Sequence, residues 1–202
     1  MASKIEKMVA ELRRAQDLVQ ESRSEEALGV YRELLVEAGK MGLELAYLHY
    51  AIAIALDYTG DLERAFEEIT MAIGKDPLCL PFRHSFDVIV GRIRSALADP
   101  KRAVDDASTP RLYALLVRGD AADVASHVAM ARWLLAAGKG GEARALADAL
   151  TRLHPTSREA WELAGAVAAA LGDAAGAERA RIEVAALAHR DAPFAIVGVA
   201  SA

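Results

Sequence analysis

Apolar residues recur along this chain at intervals of three and four positions almost from end to end. Ile5, Met8, Val9 and Leu12, for example, begin a stripe that would cover one face of a helix over residues 4–20. Alternation typical of a β-strand does not occur before residue 193. The pattern therefore predicts an all-α protein with helices over 4–20, 25–40, 43–58, 61–74, 79–98, 110–118, 121–137, 141–153, 157–171 and 174–189.

Capping residues and helix breakers set the expected limits of the second helix. Ser24 is expected to cap its start, with Glu25 and Glu26 in the first turn, where the helix dipole favours negative charge. Gly39 and Gly42 are expected to end it.

The connections between the predicted helices are short, with one exception. Loops of two to six residues make neighbouring helices antiparallel, which predicts a row of helical hairpins. The exception is 99–110, which has a proline near each end and is expected to hold one short helical turn before the next helix. We expect residues 1–191 to form a single helical domain, followed by the apolar tail 192–202.

One turn is repeated three times in the sequence. Gly60, Gly138 and Gly172 are each followed five residues later by an alanine, and the last two glycines stand 34 residues apart. Small residues in the first helix of each pair are expected to face the alanine of the second helix, which would let the two helices approach closely. The expected pairs are Ala53 with Ala65, Ala131 with Ala143 and Gly165 with Ala177. The repeated positions in three units are Ile52, Ala53, Leu56, Gly60, Ala65, Ile69, Ala72 and Pro77; Met130, Ala131, Leu134, Gly138, Ala143, Ala147 and Pro155; and Trp161, Gly165, Gly172 and Ala177.

These positions resemble the tetratricopeptide repeat family, in which two helices of a 34-residue unit meet through small residues. The resemblance is clear over 46–79, 124–157 and 158–191 and weaker over 8–41 and 80–123. The unit 8–41 keeps Ala27 and Tyr31 but has Ser22 where the glycine should stand. The resemblance implies a right-handed superhelical solenoid of about five antiparallel hairpins; a non-repetitive helical bundle is the alternative.

In the tetratricopeptide family, the first helices of successive hairpins line a concave groove that holds a peptide, a helix or a domain of another protein. The resemblance implies that the principal groove residues are Tyr47, Tyr50, Ile54, Asp57, Tyr58, His84, Val88, Arg92 and Arg132, with Gln16, Gln20, Ser85, Ala125, Val128, Glu159 and Glu162 beside them. Three tyrosines on one helix face make a plausible hot spot for binding, although Tyr50 or Tyr58 could instead pack against the adjacent hairpin. The chain contains no asparagine, which disfavours the carboxylate clamp that holds chaperone tails in this family.

Composition and charge exclude several classes of function. The net charge is −5, with the acidic excess in the first half, so nucleic acid is not an expected partner. The lone Cys79 allows neither an internal disulfide nor a cysteine-based zinc site. No stretch reaches the roughly 20 apolar residues of a membrane helix, and the start resembles neither a secretory signal nor a transit peptide. These features predict a cytoplasmic protein, and frequent alanine and arginine suggest a bacterial one.

The sequence offers no convincing catalytic or metal-binding motif. His49 and His127 fall where the repeat places a buried aromatic residue, so we interpret both as structural. The glycine-rich stretch AAGKGGEAR at 136–144 lacks the Ser or Thr that follows the lysine of a phosphate loop. Glu67 and Glu68 are expected to be exposed charges on a second helix. We predict no enzymatic activity, no cofactor and no metal.

The tail 192–202 is apolar, and an exposed end of this kind is unusual for a helical repeat. Phe194, Ile196 and Val197 are expected either to cover the last hairpin or to dock on a second copy in a homodimer.

The sequence as a whole predicts a non-enzymatic adaptor or scaffold that binds a protein or peptide. Two alternatives remain open from the sequence: a secretion-system chaperone that holds an unfolded client segment, and a regulatory sensor that responds to a peptide.

Overall fold

A computed structural model describes residues 2–43, 45–99 and 107–190, and most of these residues are helical. No strand occurs among them, so the predicted all-α class is confirmed. The helices are α1 (Ala2–Gln20), α2 (Ser24–Lys40), α3 (Ala46–Thr59), α4 (Leu62–Lys75), α5 (Leu80–Ala98), α6 (Ser108–Arg118), α7 (Val124–Ala136), α8 (Gly140–Leu153), α9 (Arg158–Ala170) and α10 (Ala174–Arg190).

The chain divides into two compact units. The first unit consists of Met1–Ala96 with Ala114–Ala121, and the second of Leu97–Tyr113 with Ala122–Ala202. In the first unit α1 packs on α2 and α3 packs on α4. In the second unit α7 packs on α8 and α9 packs on α10, and the first helices α7 and α9 also contact each other. Each unit thus contains two of the helical hairpins that the sequence predicts.

Four hairpin turns share one backbone geometry. Gly60, Gly138 and Gly172 have left-handed φ angles of 84°, 73° and 73°, and Ser22 takes the same conformation with φ of 62°. In each turn the amide one residue later closes a hydrogen bond of 2.8–3.0 Å onto the helix that has just ended, which is the Schellman pattern. The first hairpin therefore makes the repeat turn without a glycine. The bonds join Arg23 to Leu18, Asp61 to Leu56, Lys139 to Leu134 and Asp173 to Ala168.

Small side chains lie where the two helices of a hairpin meet. Ala53 and Ala65 of the α3/α4 hairpin are fully buried, as are Ala131 and Ala143 of the α7/α8 hairpin. Close approach of helix axes explains the preference for alanine, because a larger side chain at these positions would separate the helices.

The last hairpin departs from the expected pairing of Gly165 with Ala177. A Cβ atom on Gly165 would lie 3.2 Å from the Cβ of Ala180, whereas Ala177 is only partly buried. The close contact is therefore made one helical turn farther along α10 than the repeat spacing predicts.

Aromatic packing joins α4, α5 and the end of α6 in the first unit. The rings of Phe66 and Phe86 lie 5.4 Å apart between centroids. A Cβ on Gly119 would lie only 2.6 Å from Cζ of Phe66. The Arg94 guanidinium donates two hydrogen bonds, of 2.6 and 3.1 Å, to the main-chain carbonyl of Ala121. These contacts fix α5, whose exposed face carries several predicted site residues.

Several predicted helix limits need correction. Ser24 is the first helical residue rather than the cap, and Arg23 precedes it with no capping side-chain bond. The helix continues through Gly39 to Lys40, and only Gly42 takes a left-handed φ, of 67°. α3 begins at Ala46 instead of 43, and α7 at Val124 instead of 121, because Asp123 caps its start by accepting from the Ser126 amide.

Two predictions fall on other parts of the chain. The short helical turn expected within 99–110 and the docking of Phe194, Ile196 and Val197 lie largely or wholly outside the described residues.

Candidate functional site

Side chains connect the first helices of successive hairpins in the first unit. The Gln16 amide of α1 donates a 2.7 Å hydrogen bond to the Tyr47 hydroxyl of α3. The Tyr50 ring of α3 stacks on Phe82 of α5, with 5.0 Å between centroids and 30° between planes. These contacts place α1, α3 and α5 side by side, which gives the unit a face made of first helices. We call it the first-helix face.

The three tyrosines predicted for binding have different surroundings on the first-helix face. Tyr47 is exposed and its ring lies 5.6 Å from that of Tyr50. Tyr50 is partly buried, because it packs against Phe82 of the adjacent hairpin. Tyr58 is 66% exposed. The surface open to a partner is therefore made by Tyr47 and Tyr58, while Tyr50 holds the helices together.

Two predicted groove residues, Asp57 and Arg92, bind each other. Asp57 is only 6% exposed, and Nη1 of Arg92 lies 3.0 Å from its Oδ1. The same nitrogen donates a 3.0 Å hydrogen bond to the main-chain carbonyl of Asp57. Burial raises the pKa of the Asp57 carboxyl, and the nearby Arg92 charge only partly opposes that rise. The pair thus joins α5 to the C-terminal end of α3, where a positive charge is also favoured by the helix dipole.

The remaining predicted residues of α5 lie mostly at the surface. His84, Val88 and Arg92 are exposed at four-residue spacing, which places them on one side of the helix. Ile54 of α3 is partly buried. Ser85, which was expected beside them, is buried and therefore belongs to the packing of α5. Phe82 is a functional neighbour that sequence reasoning missed, since a single buried aromatic residue carries no repeat signature.

The second unit has a pocket of about 490 Å³ between its first helices. Its lining includes all five residues predicted for this part of the groove, together with an apolar floor that contains Leu97 and Leu163. Arg132 of α7 and Glu159 of α9 form no ion pair among the described residues, whereas Glu162 is held by Arg158 at 2.7 Å. The pocket thus presents a charge of each sign above an apolar floor. The predicted lining residues are Ala125, Val128, Arg132, Glu159 and Glu162.

His49 and His127 occupy structural positions. Nδ1 of the buried His49 lies 2.7 Å from Oε2 of Glu68, which links α3 to α4. Glu68 is therefore partly buried in a polar contact, which corrects its expected exposure. His127 meets Tyr113 edge to face at 5.5 Å, and burial lowers the pKa of its imidazole.

Over 2–43, 45–99 and 107–190, no cluster of His, Cys, Asp and Glu is arranged to hold a metal ion. Within the same part of the chain, every helix is too short or too polar to cross a membrane.

The tetratricopeptide repeat family model matches residues 124–168. This range covers α7, α8 and most of α9, including the predicted unit 124–157. The chain therefore carries tetratricopeptide repeat sequence, and the predicted resemblance to this family is confirmed. No curated protein matches the chain at a significant level.

Three solved structures have similar helical arrangements. MamA from Desulfovibrio magneticus RS-1 is 16% identical, with 93% of this chain and 98% of that chain covered and a TM-score of 0.40. TTC0263, a thermophilic protein of Thermus thermophilus, is 16% identical, with 91% and 93% covered and a TM-score of 0.41. YrrB, a protein with an unusual peptide-binding site, is 17% identical, with 88% and 84% covered and a TM-score of 0.39. No residue role follows from similarity at this level.

Proposed function

We propose that the chain is a non-enzymatic adaptor or scaffold that binds a partner protein or peptide through its first helices. The observation that carries this proposal is the first-helix face, where Tyr47 and Tyr58 are exposed on α3 beside His84 and Val88 on α5. The Tyr50–Phe82 stack and the Asp57–Arg92 pair hold α3 against α5 and so support these side chains. Exposed aromatic groups on a fixed support lose little entropy on binding.

The surface chemistry favours a partner segment with apolar side chains flanked by hydrogen-bonding groups. A tyrosine ring buries a large apolar area while its hydroxyl remains able to bond. The Tyr47 hydroxyl already accepts from Gln16 and can still donate to a partner carbonyl. His84 and the exposed part of Arg92 add donors at the α5 side.

The second unit also offers a surface for a protein or peptide, formed by charged and apolar residues instead of exposed tyrosines. Its pocket places Arg132 and Glu159 on neighbouring first helices above an apolar floor. A peptide side chain could enter the floor while charged neighbours pair with these two residues. We propose the pocket as a second contact surface for protein or peptide.

The test begins with purification of partners on the full chain and continues with the purified partner. The affinity of that partner is then measured for the intact chain and for Tyr47→Ala and Tyr58→Ala. Loss of a hot-spot tyrosine should raise Kd by about tenfold or more. Val36→Ala is the matched control, since Val36 is 57% exposed on the second helix α2. Equal affinity for all four proteins would remove the first-helix face as the binding surface.

The nature of the captured partner separates the adaptor from its alternatives. A folded partner supports the adaptor, and an unfolded secreted client would instead support a secretion-system chaperone. A short peptide that binds without a protein partner would support a regulatory sensor. We also propose that the protein lies in the cytoplasm of a bacterium. Cell fractionation would test this location.

A further inference from the structure

The first unit contains an apolar pocket that Tyr47 also lines and that lies at the opposite end of α3 from Tyr58. It has a volume of about 280 Å³ and lies among α1, the start of α3 and the connection before it. Ile5, Val9 and Leu12 of α1 line one side, and Leu43 and Leu45 line the other. Every lining residue is apolar or aromatic, so the pocket offers almost no hydrogen-bonding group to water.

The residues at the mouth of this pocket are accessible. Ile5 is 47% exposed and Val9 is 42% exposed, and Leu43 across the pocket is also exposed. The pocket is therefore open to an apolar group from another segment or molecule. The apolar lining selects an apolar occupant, because burial of a charged or polar group there would be unfavourable.

The chain itself supplies a segment with matching chemistry. Residues 192–202, APFAIVGVASA, contain no charged side chain and include Phe194, Ile196 and Val197. They follow soon after α10, whose last residue is Arg190. Eleven residues can span up to about 36 Å when extended.

We infer that the segment 192–202 of a second copy binds in the apolar pocket of α1 and α3. Each copy carries one segment and one pocket, so two copies that exchange segments make the same contact twice. Such an exchange would bury the apolar pocket and the apolar segment of both copies. Phe194, Ile196 and Val197 supply the apolar side chains that enter the pocket.

The first experiment measures molar mass by light scattering across a range of protein concentrations. The intact chain should form a dimer, whereas a chain ending at Asp191 should remain a monomer. Val9→Glu places a charge at the mouth of the pocket and should weaken dimerisation by at least about tenfold, because the carboxylate would be desolvated on docking. Val36→Glu is the control and should still dimerise, since the exposed Val36 of α2 lies away from the pocket.

The second experiment separates docking from a change in folding. A synthetic peptide of residues 191–202 is titrated into the chain that ends at Asp191, and into the same truncated chain with Val9→Glu. The peptide should bind the first protein and bind the second at least about tenfold more weakly, while circular dichroism shows equal helicity in both.

Three results would overturn the inference. The intact chain could stay monomeric at every concentration, Val9→Glu could leave the dimer intact, or the peptide could bind both truncated proteins equally. Truncation that lowers the melting temperature without changing the molar mass would instead show that the segment covers its own hairpin. Tyr47 lines this pocket and Tyr58 does not, so the affinity of the partner for Tyr58→Ala tests the proposed function separately.

Discussion

At the scale of single residues, Ser22 is held in a conformation that glycine adopts more easily. Its φ of 62° matches the glycines of the other hairpin turns, and the Arg23 amide completes the same 2.8 Å bond to Leu18. A side chain in the left-handed region costs roughly 1–2 kcal/mol. The first hairpin therefore carries a local strain that the turns at Gly60, Gly138 and Gly172 lack.

Ser22→Gly should raise the free energy of unfolding by about 0.5–1 kcal/mol. Relief of the left-handed strain outweighs the larger entropy of glycine in the unfolded chain. Gly60→Ala, at a φ of 84°, should lower it by a similar amount. Urea denaturation followed by circular dichroism measures both, and a Ser22→Gly variant that is less stable than the intact protein would contradict the account.

The Asp57–Arg92 pair predicts an unusual pH dependence. Because burial raises the pKa of Asp57 above its unfolded value, the folded state binds its proton more tightly than the unfolded chain does. The contribution of Asp57 to stability is therefore fully present below pH 3.8 and is lost as the pH rises through the folded pKa. Asp57→Asn should gain stability relative to the intact protein as the pH rises from about 3 to 6.

Denaturant unfolding at several pH values measures that difference, and a difference that is constant with pH would contradict it. Arg92→Gln is the complementary variant, since it leaves the buried carboxylate without its cation. It should destabilise the fold by about 1–2 kcal/mol, less than for a fully buried pair because Arg92 is half exposed.

At the scale of helices, two glycines illustrate how packing decides the effect of the same substitution. Gly91 lies within α5, and an added Cβ would meet nothing within 4 Å. Gly119 lies just after α6, and an added Cβ would press against Phe66 at 2.6 Å. Helix propensity therefore decides how alanine at position 91 changes stability, and steric overlap decides it at position 119.

Gly91→Ala should stabilise the protein by about 0.5–1 kcal/mol, because alanine favours a helix interior. Gly119→Ala should destabilise it by about 1–3 kcal/mol, because the nearly fully buried Phe66 has little room to move. Thermal unfolding of the two variants beside the intact chain checks both signs, and stabilisation by both would show that the α6 end adjusts freely.

Local signals in the sequence predict most of the helices and turns. The regular spacing of apolar residues predicts a helix, and a glycine between two such patterns predicts a left-handed turn, as at Gly60, Gly138 and Gly172. Ser22 shows the limit, because a residue without a glycine signal can adopt the same turn when the flanking bonds require it. Ser85, Glu68 and Ala180 could not be assigned in this way, since their burial depends on which helix packs against them.

The sequence also predicts which candidate site residues lie on the first helices. The repeat spacing identifies positions on the first helices. All five residues that it predicts for the second unit line the pocket between α7 and α9. It does not reveal which side chains pair with each other. Asp57 and Arg92 therefore both entered the predicted site, although the structure shows the Asp57 carboxylate buried beside Arg92.

At the scale of the whole molecule, each unit carries its own candidate surface. The first unit presents exposed aromatic groups, and the second presents a pocket with a charge of each sign. Contacts of these two kinds respond differently to salt, because screening weakens exposed ionic contacts and leaves apolar burial largely unchanged.

Arg132→Glu should weaken partner binding mainly through slower association, and the loss should shrink as salt rises from about 50 to 500 mM. Arg152→Glu makes the same charge change on the second helix α8 and should have little effect. Surface plasmon resonance at several salt concentrations, with the purified partner, measures both rates. An unchanged association rate for Arg132→Glu would show that the pocket is not used by that partner.

The repeated turn bonds also mark the chain for measurements of hydrogen exchange. The amides of Arg23, Asp61, Lys139 and Asp173 lie outside the helices, where backbone hydrogens normally exchange with solvent quickly. Each is instead bonded to a carbonyl of the preceding helix, so its exchange requires that helix end to open. Deuterium uptake at these four positions would therefore report the opening of individual hairpins, and the order of uptake would rank their local stabilities.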